Sequence, residues 1–199
     1  QGALPALHVR KMFKASTFIF RWYAWDFKSL QDNTVVDSMG HTSATIQDVL
    51  MRTSFGVVMD GNTAKFVDLS KLPSGGALTI EIVTQWSAFN QNAAVFHCGE
   101  ISSSNAEANV IRLSTVGTSG QLKWEASVGT QSFSTVSNST TSIVPGNRYH
   151  IVASVGGATT MRAYINGALV PGMDTSSPGG LPLFADRQCY LGKGGISGT

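Results

Sequence analysis

"RYHIVASVGGATTMRAYINGALV", residues 148–170, decides the fold. Side chains alternate across a strand, so an apolar period of two marks one buried face. Tyr149, Ile151, Ala153 and Val155 then point inward, with His150, Val152 and Ser154 outward. The next run puts Met161, Ala163 and Ile165 inside and Arg162 and Tyr164 outside. Asn166-Gly167 follows, the pair that most cheaply accepts the two positive φ angles of a type I′ hairpin turn.

The same reading extends outward on both sides. In "ALTIEIVTQW", Leu78, Ile80, Ile82, Thr84 and Trp86 share the core face, while Thr79, Glu81, Val83 and Gln85 share the other. From Phe18 onward, short runs rich in Val, Ile, Thr and aromatic residues are punctuated by Gly, Ser, Asn or Pro, the signature of a sandwich or barrel. "ATIQDVLMRTS", residues 44–54, reads as a connection with room for one short strand. Residues 1–17 read as an N-terminal arm or linker with a basic patch of His8, Arg10, Lys11 and Lys14. A short helix over residues 6–14 is an open reading there, marginal without a partner to pack on. Residues 18–199 form one sandwich domain, a size at which a single all-β unit is ordinary.

Composition narrows the function. Of 199 residues, 42% are apolar and 13% charged, against about 25% charged in typical globular chains. The surface is built from Ser, Thr, Asn, Gln and Gly, which fits an extracellular or assembled protein better than a cytosolic enzyme. A net charge of +2, without clustered Lys and Arg, argues against nucleic acid as a partner. No apolar run reaches the roughly 18 residues of a membrane span, so no membrane insertion is expected. The chain opens at Gln1 rather than Met, which reads as removal of preceding residues, and export is inferred on that basis.

Cys98 in "VFHCGE" and Cys189 in "RQCYLG" lie on strand-like runs. They either pair in an oxidising compartment or remain two buried thiols. "SNST", residues 137–140, makes Asn138 a candidate acceptor for N-glycosylation.

The order of motifs resembles the laminin G-like, concanavalin A-like jelly-roll modules. It runs through "WDF", "VVDSMG", "FGVVMDGNTAKFVDL", "LPSGGALTIEIVTQW", "RYHIVASV", "MRAYINGALV" and "CYLGKG", over roughly residues 22–195. The resemblance implies an all-β, two-sheet antiparallel jelly-roll sandwich, found in secreted, cell-surface or virion-surface proteins. In such modules a final strand normally follows the "LGKG" run and returns beside the first, whereas this sequence stops at "GISGT". Either that strand is missing, or its edge is filled by the N-terminal arm or by another subunit.

A related jelly roll carries retaining glycoside hydrolases, whose chemistry needs two carboxyl groups about 5 Å apart. Here Glu81 has Val83 at the next same-face position, so no such pair is made and no enzyme is expected. Gly-x-Ser-x-Gly, His-Glu-x-x-His and phosphate-loop patterns do not occur, and His8, His41, His97 and His150 are scattered singly. Calcium is the one cofactor implied, held at a rim by oxygen ligands. Asp37 and Asp60 are its candidate ligands, with Asp26 weaker, although Asp in such turns is also an ordinary turn former.

For a glycan, exposed rings and planar polar groups matter, since a sugar stacks its apolar face and hydrogen-bonds its hydroxyls. Tyr164, Arg162 and His150 on the outer face are the candidates, with Asp186 and Arg187 beside them. Trp124 reads as core. Two functions follow: a non-catalytic assembly and adhesion module joined to protein neighbours or to other copies in an oligomer, or a carbohydrate-binding module, calcium-dependent in one form.

Overall fold

The computed structural model describes residues 7–10, 22–25, 34–36, 43–47, 51–53, 56–58, 66–72, 78–89, 94–101, 107–128, 131–155, 160–176 and 187–192. Among them are sixteen strands and no helix. The first eight are β1 (Leu7–Arg10), β2 (Trp22–Trp25), β3 (Thr34–Val36), β4 (Ser43–Gln47), β5 (Met51–Thr53), β6 (Gly56–Val58), β7 (Phe66–Leu72) and β8 (Leu78–Gln85). The rest are β9 (Ala94–Ile101), β10 (Glu107–Val116), β11 (Gln121–Val128), β12 (Gln131–Val136), β13 (Arg148–Val155), β14 (Thr160–Ile165), β15 (Ala168–Ser176) and β16 (Arg187–Leu191).

They form a six-stranded sheet, ordered β15, β14, β13, β8, β1, β2, and an eight-stranded sheet, ordered β12, β11, β10, β9, β16, β7, β4, β3. We call these the small and the large sheet. Strands β5 and β6 pair separately. Every strand pairing is antiparallel, as the short alternating runs predict.

The core lies between the two sheets and is fed by alternate residues of each. Ile80 and Ile82 of β8, Ile151, Ala153 and Val155 of β13, and Met161 and Ala163 of β14 come from the small sheet. They meet Val67, Leu69, Phe96, Leu113, Leu122 and Trp124 of the large sheet. Burying each large side chain contributes roughly 1.5–3 kcal/mol. Trp124 is fully buried, and its indole N–H donates to the Ser154 carbonyl at 3.1 Å, so its polar atom is satisfied across the sandwich.

The expected hairpin turn is present. Asn166 and Gly167 have φ of 51° and 85°, and Ile165 pairs with Ala168 around them. Asn166 also reaches sideways to β13: its N–H donates to the His150 carbonyl at 2.8 Å, and its Oδ1 accepts from the His150 N–H at 3.0 Å. One turn residue therefore sets the register of three strands.

Farther along β15, Val170, Pro171, Gly172 and Met173 stand against the single residue Ala163 of β14, a wide bulge. Proline is tolerated at such a site because the ladder is already broken there. The bulge turns carbonyls toward β12, where Thr135 Oγ1 donates to the Gly172 carbonyl at 2.6 Å and the Asn138 N–H donates to the Pro171 carbonyl at 3.0 Å. These bonds lace one edge of the small sheet to one edge of the large one.

Two readings of the sequence change. Residues 44–54 carry β4 and β5 rather than at most one short strand. Leu7–Arg10, inside the stretch read as an arm and as a possible helix, is a strand between β8 and β2. The period of two in Leu7-His8-Val9-Arg10 is the signal that the basic patch masked.

Candidate functional site

The outer face of the small sheet is set by the strands just described. In register, Glu81, Val152, Tyr164 and Leu169 form one row across β8, β13, β14 and β15. The next row holds Thr79, Ser154, Arg162 and Asp174. His150 lies two residues from Val152 on the opposite flank of the Tyr164 row. At about 3.4 Å per residue, His150 and the Arg162 row are roughly 14 Å apart.

Each flank carries a hydrogen-bonded pair. His150 Nε2 stands 2.8 Å from Glu81 Oε1, diagonally across β13 and β8. Arg162 Nε donates to Asp174 Oδ1 at 2.9 Å. The Arg162 guanidinium is pushed above its ordinary pKa, first by that hydrogen bond and the Asp174 charge, with a smaller contribution from the Tyr164 phenol. At this exposure such pairs add little stability, and their effect is to fix geometry. Between the flanks Tyr164 is half-buried and Leu169 is 44% exposed, which leaves an aromatic and aliphatic strip open between two fixed polar groups.

The structure thus gathers Tyr164, Arg162 and His150 on one face, and adds Glu81 and Asp174, which complete the two pairs. It does not bring Arg187 to them: that residue begins β16, in the large sheet, opposite Leu72. Core positions Cys189 and Leu191 commit β16 to the other side of the sandwich. Asp186, Asp37, Asp60 and Asp26 lie outside the described residues. Among the described residues no group of three or more His, Cys, Asp or Glu side chains is arranged to hold a metal ion. Cys98 and Cys189 face each other directly across β9 and β16 and are joined as a disulfide. Asn138 is exposed in the turn after β12.

The outer face of the large sheet carries a second polar row that the sequence reading passed over. Glu125, Arg112, His97, Tyr190 and Asp68 align in register across β11, β10, β9, β16 and β7. Arg112 and Lys123 both pair with Glu125. The His97 and Tyr190 rings stack with centroids 6.4 Å apart and planes 27° from parallel. Burial, and then the Asp68 charge, push the Tyr190 phenol above its ordinary pKa. Alternation alone could have found them, because each is flanked by core residues such as Ile111 and Leu113, Phe96 and Cys98, or Cys189 and Leu191.

Two antiparallel sheets enclosing one core, with edges laced at β12 and β15, define a jelly-roll sandwich. Residues 59–198 match the family model described as the concanavalin A-like lectin/glucanases superfamily. The chain belongs to that superfamily, in its laminin G-like branch.

Among the solved structures that resemble it are the following two. Domain 4 of AbnA, an extracellular arabinanase of Geobacillus stearothermophilus solved with arabinotriose, superposes with a TM-score of 0.60 at 17% identity, covering 79% of this chain and 77% of that one. Botulinum neurotoxin type C, whose cell entry depends on interaction with two ganglioside molecules, gives 0.56 at 11% identity, covering 85% of this chain and 43% of that one. No curated protein matches the sequence.

Proposed function

We propose that this chain is a non-catalytic carbohydrate-binding module of an extracellular protein and reads a glycan on the outer face of the small sheet. The observation that carries the reading is the Tyr164 strip held between two fixed pairs, His150 with Glu81 and Arg162 with Asp174. Tyr164 offers a ring for the apolar face of a sugar, and the flanking groups offer donors and acceptors already oriented for its hydroxyls. The resemblance to a domain solved with arabinotriose and to a ganglioside-dependent toxin supports the same class of ligand. The disulfide fits an oxidising, extracellular compartment.

Cleavage is not part of the proposal. The carboxylates with described side chains on this face, Glu81 and Asp174, stand three strand spacings apart, about 14 Å. Glycoside hydrolysis needs its two carboxyl groups within about 5–9.5 Å. The assembly reading rested on the low charge, the basic N-terminal arm and the missing last strand, and Leu7–Arg10 of that arm is a strand of the chain's own small sheet. Adhesion to a glycan-coated cell or virion surface is the role we assign, with Asn138 as the acceptor of a glycan of its own.

Calorimetric titration with a glycan panel tests the reading, in calcium and again in a chelator. Tyr164→Ala should weaken binding at least about tenfold, a loss of roughly 1.4 kcal/mol, with an unchanged melting temperature. Binding untouched by Tyr164→Ala and Arg162→Ala rejects this face. Binding that survives chelation removes calcium, and with it the roles of Asp37 and Asp60.

A further inference from the structure

We infer that Asn166 is a modification site: with Gly167 it forms a pair able to deamidate, which the folded hairpin holds unreactive and which local opening releases to isoaspartate. The product uncouples β13, β14 and β15. Its effect on the Tyr164 face rests on the function proposed above, whereas the chemistry does not.

The pair is reactive by composition. It is the one Asn followed by Gly in the chain. Once the Gly167 amide gives up its proton to a solvent base, its nitrogen can attack Asn166 Cγ. The new N–Cγ bond closes a five-membered imide, the Cγ–Nδ2 bond breaks, and the departing nitrogen takes a proton from water and leaves as ammonia. Water then opens the ring. Cleavage between the Gly167 nitrogen and the Asn166 α-carbonyl gives isoaspartate, and cleavage at Cγ gives aspartate. Water is the only co-reactant, and nothing is oxidised or reduced. Gly167 has no side chain to crowd its nitrogen, both residues are exposed, and a Cβ built on Gly167 would meet nothing within 4 Å. Solvent base and water therefore reach the pair.

The fold supplies the guard. Asn166 Oδ1 accepts from the His150 N–H at 3.0 Å, and the Asn166 N–H donates to the His150 carbonyl at 2.8 Å. The side-chain carbonyl is thereby turned toward β13, whereas Gly167 carries the turn on toward β15. The φ angles of 51° and 85° and the Ile165–Ala168 pair fix the main chain on both sides of the bond that must react. Ring closure brings Cγ onto the Gly167 nitrogen, so the His150 bond and the turn must both be released first. The rate then follows local opening of the hairpin.

The consequence is set by the same bonds. In isoaspartate the main chain runs through Cβ and Cγ, one atom longer, and a free carboxylate stands where the Asn166 α-carbonyl was. A two-residue turn of this type has its twist matched to the flanking strands and does not absorb the added atom. Tyr164 and Leu169, paired just outside the turn, lose their alignment, and β13 loses the two bonds that Asn166 made to it.

The test is incubation of the full chain in mildly alkaline buffer, folded and in guanidinium, with mass spectrometry of the tryptic fragment 163–187. Asn166 is the only amide side chain in that fragment, so a mass gain there has one source. Isoaspartate-specific methylation identifies the product. The unfolded chain should react at least about tenfold faster than the folded one. Met161→Ala, which leaves a cavity under β14, should raise the folded rate and leave the unfolded rate unchanged. Val155→Ala on β13 serves the same purpose if that variant fails to fold. The separated isoaspartate product should melt at least about 4 °C below the parent, the shift expected for two hydrogen bonds in a chain of this size. Asn166→Asp, which keeps the acceptor and the chain length, should melt close to the parent. Equal rates in the folded and unfolded chain, no mass gain in fragment 163–187 of the unfolded chain, or an isoaspartate product that melts like the parent overturns the inference. A product that melts lower but keeps full glycan affinity supports the modification site and counts against the Tyr164 face instead.

Discussion

At the scale of single residues, Tyr190 shows how position on a sheet sets chemistry. Its neighbours Cys189 and Leu191 are core residues, so the phenol is held on the outer face against His97 and near Asp68. Desolvation is the larger cause of its raised pKa and the Asp68 carboxylate the smaller. Both disfavour the phenolate. A difference titration of phenolate absorbance between the parent and Tyr190→Phe should place this group above the ordinary value of about 10. Asp68→Asn should bring it down only part of the way. Because the folded pKa lies above the unfolded one, the folded state holds the proton more tightly. Stability from this residue is therefore complete below about pH 10 and is lost as pH rises through the folded value. A titration at or below the ordinary value, or full reversal by Asp68→Asn, contradicts this account.

At the scale of elements, β9 and β16 are joined twice, by their ladder and by the Cys98–Cys189 disulfide. The cysteines are 91 residues apart in sequence, so the crosslink closes a long loop in the unfolded chain. The chain-entropy model gives about 4–5 kcal/mol for a loop of that size. Denaturant unfolding with and without reductant should show a matching fall in midpoint, and an unchanged midpoint with two titratable thiols would contradict the pairing. The strands themselves were legible because the alternation in β8, β13 and β14 is unbroken, and Asn166-Gly167 left one cheap way to turn the chain. The bulge at Pro171 and Gly172 was not, because its reason is the carbonyls it offers to β12, a contact that exists only after folding. Tyr164, Arg162 and His150 were legible as one outer face, whereas their partners Glu81 and Asp174 depend on which strands become neighbours. The large-sheet line was hidden for a similar reason. Trp124 is core, as its sequence context implies, and the groups that face outward are its neighbours Lys123 and Glu125, whose alignment with Arg112 and His97 depends on strand order.

At the scale of the whole molecule, the small sheet is continuous only through the short strand beside β8. β1 makes four register pairs with β2 and three with β8, so it is an interior strand of the small sheet. Deleting residues 1–10 strips the ladder from one side of β8 and separates β2 from it. At a net value of about 1 kcal/mol per hydrogen bond, the loss should be on the order of 3 kcal/mol, read as a lower denaturant midpoint. A midpoint that does not move would mark residues 1–17 as a detachable arm after all. The deletion should also act unequally on the two faces. β8 carries Glu81, the partner of His150, whereas Tyr190 and Asp68 stand on strands of the other sheet. Glycan affinity at the Tyr164 face should therefore fall while the raised titration of Tyr190 persists, measured at a temperature where the shortened chain remains folded. Loss of both would show instead that the sandwich responds as one body and that neither face is set by its own sheet alone.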